Sequence, residues 1–216
     1  MKKIVLSALV IVGSVVSVLA QTDAKAKAIL AEVSKKYRSY DIIKTDFTFT
    51  LDNPQAKVKE TQTGILYAKA KSNKYKVVLK AQELISDGKS QWTYSKADKE
   101  VQLNEVDNSP NALNPAQIFT IYEKGFKYLF TGDAKVNNRT VHVIDLIPTD
   151  NKRNFFKVRL NIDKLTKQIS NAVIFEKNGN RYTYAIRTFT PNVKIPESTF
   201  SFDAKKYPGV EVVDLR

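Results

Sequence analysis

Apolar residues recur at helical spacing near the start of the chain. Ala26, Ile29, Leu30, Val33, Tyr37 and Tyr40 fall on one face, with lysine and glutamate elsewhere. Asp23 is placed to cap that run, so the pattern predicts one amphipathic helix ending near Tyr40. After it the period changes to two. Phe47, Phe49 and Leu51 alternate with Thr48 and Thr50, and Tyr75, Val77 and Leu79 with Lys74, Lys76, Val78 and Lys80. Val101 and Leu103 alternate with Gln102 and Asn104, and Phe156, Val158, Leu160 and Ile162 with Lys157, Arg159 and Asn161. Each run predicts a half-buried strand. Asp87-Gly88 and Asn178-Gly179 predict type I′ hairpin turns, and Asn73, Asn137-Asn138 and Asp163-Lys164 mark further turns. Short connections make most strands antiparallel neighbours in sequence order.

One segment, "NSPNALNPAQIFTIYEKGFKYLF", breaks this meander. Asn114 is a candidate N-cap, Pro115 suits the first helical position, and Gly125 is a stop signal. A short helix over Pro115–Lys124 is expected, and its Ile118, Phe119, Ile121 and Tyr122 are too apolar to be solvated on all sides. The predicted fold class is mainly β with α. About 10–11 strands in one sheet must curl or close. A curved sheet capped by helices leaves a lined cavity for an apolar ligand. The plain alternative is that the same aromatics simply fill a core.

The N-terminus changes the compartment. "MKK" precedes the apolar run "IVLSALVIVGSVVSVLA", which ends in Val-Leu-Ala before Gln21. This predicts a signal peptide over residues 1–20, cleaved after Ala20, and a single domain over 21–216. An uncleaved anchor is the competing reading. The chain has no cysteine, which excludes disulfides, thiol chemistry and a lipid-anchored mature N-terminus. The formal charge is +13, and removing Lys2 and Lys3 leaves +11. That charge suits a solvated surface, or attraction to anionic membranes or acidic partners. Nucleic acid is not expected, because no helix-turn-helix or finger spacing occurs.

Candidate chemistry is sparse. His142 is the single histidine and sits within a strand pattern, so no histidine or cysteine pair exists to hold a metal. There is no Gly-x-Ser-x-Gly elbow and no phosphate-cradling glycine loop among seven glycines. Asp87 is explained by turn geometry; Glu100, Glu105 and Asp107 flank a strand and look solvated. A pair of glycosidase carboxylates is the remaining enzyme reading. The residues favour a non-enzymatic binding module with no cofactor.

Several motifs occur in one order: "GILYAK", "KYKV", "LISDGKSQWTY", "NPAQIF" and "TFSF…YPGVEVVD". Together they resemble the periplasmic outer-membrane lipoprotein carrier family, LolA, across essentially the whole mature chain. The resemblance implies an unclosed antiparallel β-barrel with a helical lid over a hydrophobic cavity, and no catalysis. It implies acylated lipoproteins as cargo, taken from an inner-membrane ABC transporter of the lipoprotein-release type to an outer-membrane acceptor. It places the chain in the periplasm, and a monomer is expected. The expected acyl cavity comprises Phe47, Phe49, Leu51, Leu66, Tyr75, Val77, Leu79, Trp92 and Tyr94, with Ile118, Phe119, Ile121 and Tyr122 on the lid. Family members carry an Arg-Pro pair whose arginine bonds the lid backbone. Here that turn reads "KAKSNKYK", and Lys71 is the nearest cation. An ammonium does not reproduce a guanidinium fork. A second reading keeps the fold with another cargo: a carrier of a different lipid or glycolipid, or a sensor of mislocalised lipoproteins.

The exported protein is expected to begin at Gln21. Intact-mass measurement checks this, and retention of residues 1–20 in the membrane fraction contradicts it.

Overall fold

The computed structural model describes residues 23–107, 109 and 115–216; the expected signal peptide and the candidate cap Asn114 lie outside them. Helix α1 covers 23–38. Its Ala26, Ile29, Leu30, Val33 and Tyr37 are buried, as the helical spacing requires.

Twelve strands follow, against the 10–11 expected. They are β1 (Ile43–Asn53), β2 (Val58–Lys69), β3 (Lys74–Leu79), β4 (Gln82–Ser86), β5 (Ser90–Ser95) and β6 (Glu100–Glu105), then β7 (Phe126–Val136), β8 (Arg139–Pro148), β9 (Phe155–Asp163), β10 (Ile169–Glu176), β11 (Arg181–Pro191) and β12 (Glu211–Asp214). All belong to one sheet, ordered β12-β6-β5-β4-β3-β2-β1-β11-β10-β9-β8-β7. Strands β1–β6 and β7–β11 are two antiparallel meanders. Pairing of β1 with β11, from Ile43↔Pro191 to Asp52↔Arg181, joins them. Strands β7 and β12 are the two edges, so the barrel is unclosed.

The turns differ from expectation in an instructive way. The two-residue loop with positive φ at both positions is Asn137-Asn138, between β7 and β8. That backbone is the type I′ turn, which asparagine tolerates. Between β4 and β5 the loop has three residues, Asp87 to Lys89. Asp87 Oδ1 accepts from the backbone N–H of Lys89 and Ser90, and Gly88 has the positive φ. A Cβ on Gly88 would lie 2.4 Å from the Ser72 carbonyl oxygen. Between β10 and β11 the loop has four residues, with Gly179 at φ +90.

Alternation along these registers gives the sheet an inner and an outer face. The inner face, toward α1, carries Phe47, Leu66, Tyr75, Val77, Ile144, Leu146, Val158, Leu160, Ile162, Ala172 and Ile174 in one buried cluster. A second, separate core lies on the outer face of β3–β6. The pairs Ile85↔Trp92, Trp92↔Leu103 and Tyr94↔Val101 place these side chains together there. The C-terminal segment covers them. Its Glu197–Phe200 turn packs on β3 and β4. Tyr207 sits 4.9 Å from the Tyr94 ring and donates to Glu83 Oε2, and β12 adds in parallel to β6. Ile85, Val101 and Phe200 are all but inaccessible as a result.

Phe200→Ala is expected to cost about 3–5 kcal/mol, the range for emptying a buried phenylalanine site. Urea unfolding measures the cost. Binding of an apolar dye to the inner face should be unchanged, because Phe200 belongs to the outer core.

Candidate functional site

A cavity of about 300 Å³ opens on the inner face. Its walls are Thr45, Phe47 and Phe49 from β1, Gln62 and Leu66 from β2, Val77 and Leu79 from β3, and Gln82 and Leu84 at β4. Val158, Ala172, Ile174, Tyr184 and Ile186 close the far side, and Pro115, Ile118 and Ile121 roof it. Gln62 is exposed and Thr45 is fully buried, so the cavity runs inward from a solvent-facing end to a closed one. Gly64 makes room for the wall. A Cβ there would meet Leu79 Cδ2 at 2.6 Å and Phe47 Cζ at 2.7 Å. The small residue lets both large side chains lie over β2, which explains the glycine of "GILYAK". The few polar groups are Gln62, Gln82, the Tyr184 phenol and Thr45. The Thr45 hydroxyl is buried with no hydrogen-bond partner among the described residues. Burial pushes the Tyr184 phenol up to about 12, so it stays neutral.

The structure brings together seven of the residues that the sequence proposed: Phe47, Phe49, Leu66, Val77, Leu79, Ile118 and Ile121. The others lie elsewhere. Trp92 and Tyr94 are on the outer face, opposite Leu103 and Val101, because β5 pairs in the register that turns them outward. Tyr75 shares the inner face but is 1% exposed inside the filled core, donating its hydroxyl to Gln91 Oε1. Leu51 lies further along β1, beyond the cavity wall. Phe119 and Tyr122 are buried against α1 rather than over the cavity. Phe156, which the alternation aligned with Val158 and Leu160, is 50% exposed. Lys157 pairs with Phe175 and Phe155 with Glu176, so Phe156 is the extra residue of a bulge. Sequence reasoning missed the β10–β11 wall, where "AVI" and "YAI" are continuous apolar runs and carry no alternation to mark the inward positions.

The expected lid helix is instead two 3₁₀ turns, Pro115–Gln117 and Ile121–Glu123. Two physical reasons account for this. Ile118, Thr120 and Ile121 are β-branched and Phe119 and Tyr122 aromatic, all modest helix formers. Their partners also lie in different directions, which no single helical face can serve. Ile118 and Ile121 face the cavity. Phe119 stacks on Tyr37 at 4.8 Å. Tyr122 accepts from Ser34 Oγ at 3.2 Å, and Tyr128 Oη donates to the Tyr122 carbonyl at 2.8 Å. Arg38 Nε donates to Glu123 Oε1 at 3.0 Å, and its Nη2 bonds Oε2. Lys71, the sequence candidate for a latch, is exposed in the turn after β2 and is not among these partners. Tyr128 supplies a side-chain hydrogen bond to the segment's backbone.

The chain's family model match covers residues 38–203 and is described as outer membrane lipoprotein carrier protein LolA. The chain belongs to the LolA family. The outer-membrane lipoprotein carrier protein of Haemophilus influenzae is 27% identical over 189 residues, covering 86% of this chain and 87% of that one. Among solved structures, an uncharacterized conserved protein from Thermus thermophilus aligns with a TM-score of 0.55 at 14% identity, over 88% of this chain and 99% of that one. LprF from Mycobacterium bovis aligns with a TM-score of 0.51 at 12% identity, over 80% and 96%. The two structural likenesses show the fold alone. Nothing in the site indicates catalysis. Among the described residues no three His, Asp or Glu side chains cluster to hold a metal. His142 is engaged by Asp133, which Lys164 also pairs.

The Arg38 hydrogen bonds hold the Glu123 carboxyl below the ordinary value of 4.5. A group depressed in the closed state stabilises that state above its ordinary value, and the contribution is lost as pH falls through the depressed one. Apolar-dye uptake should therefore rise on acidification below 4.5. Glu123→Gln should show raised uptake at neutral pH and a flatter profile. A wild-type profile identical to that of Glu123→Gln rules out this latch.

Proposed function

We propose that this LolA-family chain is a periplasmic carrier that holds acyl chains of lipoproteins in the inner-face cavity and moves them from the inner to the outer membrane. The observation that carries the reading is an apolar cavity left unfilled beneath a short segment, which is held partly by burial of Ala116, Phe119 and Tyr122 and partly by polar side-chain contacts. Burying a CH₂ is worth ~0.8 kcal/mol, so one long acyl chain in water costs on the order of 10 kcal/mol. An acylated protein needs shelter to cross an aqueous gap. The shelter must also release its cargo, and Ile118 and Ile121, which line the cavity, have room to shift while Phe119 and Tyr122 stay packed against α1. Residues 1–20 serve as the cleaved export signal, an inner-membrane ABC transporter is the donor, and an outer-membrane protein is the acceptor. No reaction is catalysed.

The cavity volume favours a second cargo reading beside the first. At about 300 Å³ it sits at the lower edge of small-molecule pockets. A triacylated terminus needs the roof to move aside, whereas a single-chain lipid fits with less motion. Mass spectrometry of species that co-purify without detergent decides between the two.

Leu84→Glu tests the cavity itself. Leu84 is only half-buried, so a carboxylate there can reach water and the fold should survive. Loading by acylated peptide should weaken about tenfold or more, a loss of 1.4 kcal/mol per decade. A folded Leu84→Glu protein with unchanged loading and transfer contradicts the carrier site.

A further inference from the structure

The outer face is covered over β3–β6 by the C-terminal segment, but no described segment covers it over β7–β10. There the registers Leu129↔Asp145, Lys127↔Ile147 and Phe175↔Lys157 place Leu129, Ile147 and Phe175 on one face, and the bulged Phe156 joins them 6.2 Å from Phe175. Phe156 is 50% exposed, Ile147 39% and Leu129 37%. A soluble sheet face does not need a half-exposed phenylalanine pushed outward by a bulge.

Cations surround this strip. Lys157 lies over the Phe175 ring at 4.5 Å, with Arg181 6.0 Å away on the other side. Lys127, Lys152 and Lys177 are exposed around it. The carboxylates nearby balance them only in part. Asp145 is buried, clamped by Arg159 at 2.6 and 2.8 Å and paired with Lys157 at 3.6 Å, and Asp52 lies across from Arg181. Asp150 is tied to the backbone of its own turn and Glu176 accepts from Asn180, which leaves Lys127, Lys152 and Lys177 as exposed positive charge. An apolar wedge within a cationic rim matches an anionic bilayer surface. The phenylalanine enters the acyl boundary while lysine and arginine stay at the headgroups. An acidic protein would match the rim, but not the wedge without a groove to receive it, and the cavity over β1–β4 and the two beside Asp41 and Ser34 all lie elsewhere.

We propose that the outer face of β7–β10, centred on Phe156, docks the protein reversibly on anionic phospholipid membranes. This site is distinct from the acyl cavity, which opens on the other face of the same sheet. Docking would raise the local concentration of the protein where cargo is collected or delivered.

Vesicle co-sedimentation tests it, using equal parts phosphatidylglycerol and phosphatidylcholine against pure phosphatidylcholine. Binding is expected to the anionic vesicles and to fall as salt rises. Phe156→Ser should weaken it about tenfold, and each of Lys127→Glu and Arg181→Glu about fivefold or more. Lys80→Glu and Lys89→Glu, each made singly as the same charge change on the covered half, should have a much smaller effect. Leu84→Glu separates this surface from the carrier reading: docking should persist in that variant although cargo loading is lost. Equal binding to both vesicle types overturns the proposal. So does loss of binding in Leu84→Glu, which would mean lipid uptake by the cavity, or unchanged binding in folded Phe156→Ser. Self-association that Phe156→Ser abolishes, without vesicle binding, would assign the face to a second copy instead.

Discussion

Strand β1 lies between β2, its neighbour in sequence, and β11, near the far end of the chain. The cavity depends on this second pairing. Without it there are two meanders, each with a half-apolar face and nothing opposite. With it, Phe47 and Phe49 of β1 stand beside Ile186 and Tyr184 of β11, and the two inner faces become one concave wall. The entropy of closing so long a loop grows only slowly with its length, and a ladder of backbone hydrogen bonds with paired side chains offsets it. The sheet's twist then turns the wall into a partial barrel, and α1 covers the part nearest β7–β10. Its Tyr37 accepts from the Ile169 backbone N–H at 3.1 Å, and Lys36 reaches the Thr166 carbonyl.

A sheet of this size has two faces to manage, and this chain treats them differently. The inner face is filled under α1 and left partly empty beside it. The outer face is packed only where the C-terminal segment crosses β3–β6. That crossing buries Val101 and Leu103 and half-buries Trp92 and Tyr94. It also provides β12, which shields the β6 edge in parallel. The other edge, β7, is blunted by a bulge between Phe130 and Gly132 and by Lys127 and Lys135, as exposed edges commonly are.

The roof of the cavity shows why a carrier need not use a regular helix. A helix over Pro115–Lys124 would present one stripe to one partner. The two 3₁₀ turns divide their side chains among the cavity, the aromatic ring of Tyr37 and the polar group of Ser34, Arg38 and Tyr128. Burial raises the Tyr122 phenol well above its ordinary range, so it acts as a neutral hydrogen-bonding group. The segment is thereby held by directional bonds and by the buried Phe119 and Tyr122, over an apolar space it does not fill. The unfilled space leaves Ile118 and Ile121 room to move while the sheet stays folded.

Much of this was legible in the order of residues. The helical spacing from Ala26 to Tyr37, the period-two strands, the Gly64 motif and the family signature of the hairpin and C-terminus all depend on local pattern, and local pattern survives in sequence. Part of the cavity wall followed directly, because Phe47, Leu66, Val77 and Leu79 each fall on the apolar parity of their strands. Parity alone does not say which face is inner. A shift of one residue sends every side chain to the other side of the sheet. Trp92 and Tyr94 therefore needed the β4–β5–β6 register to be placed outside, and Phe156 needed the β9 bulge. Tyr75 has the right face, and only packing around it decides that its place is filled core rather than cavity. The roof contacts of Arg38 with Glu123 and Tyr128 with Tyr122 are likewise side-chain meetings between distant elements. The sequence by itself determined α1, most of the strands with their alternation, and the kinship. Tertiary structure decided which face each strand turned inward and where the core stopped short of filling it, since both are set by pairing between segments far apart in the chain.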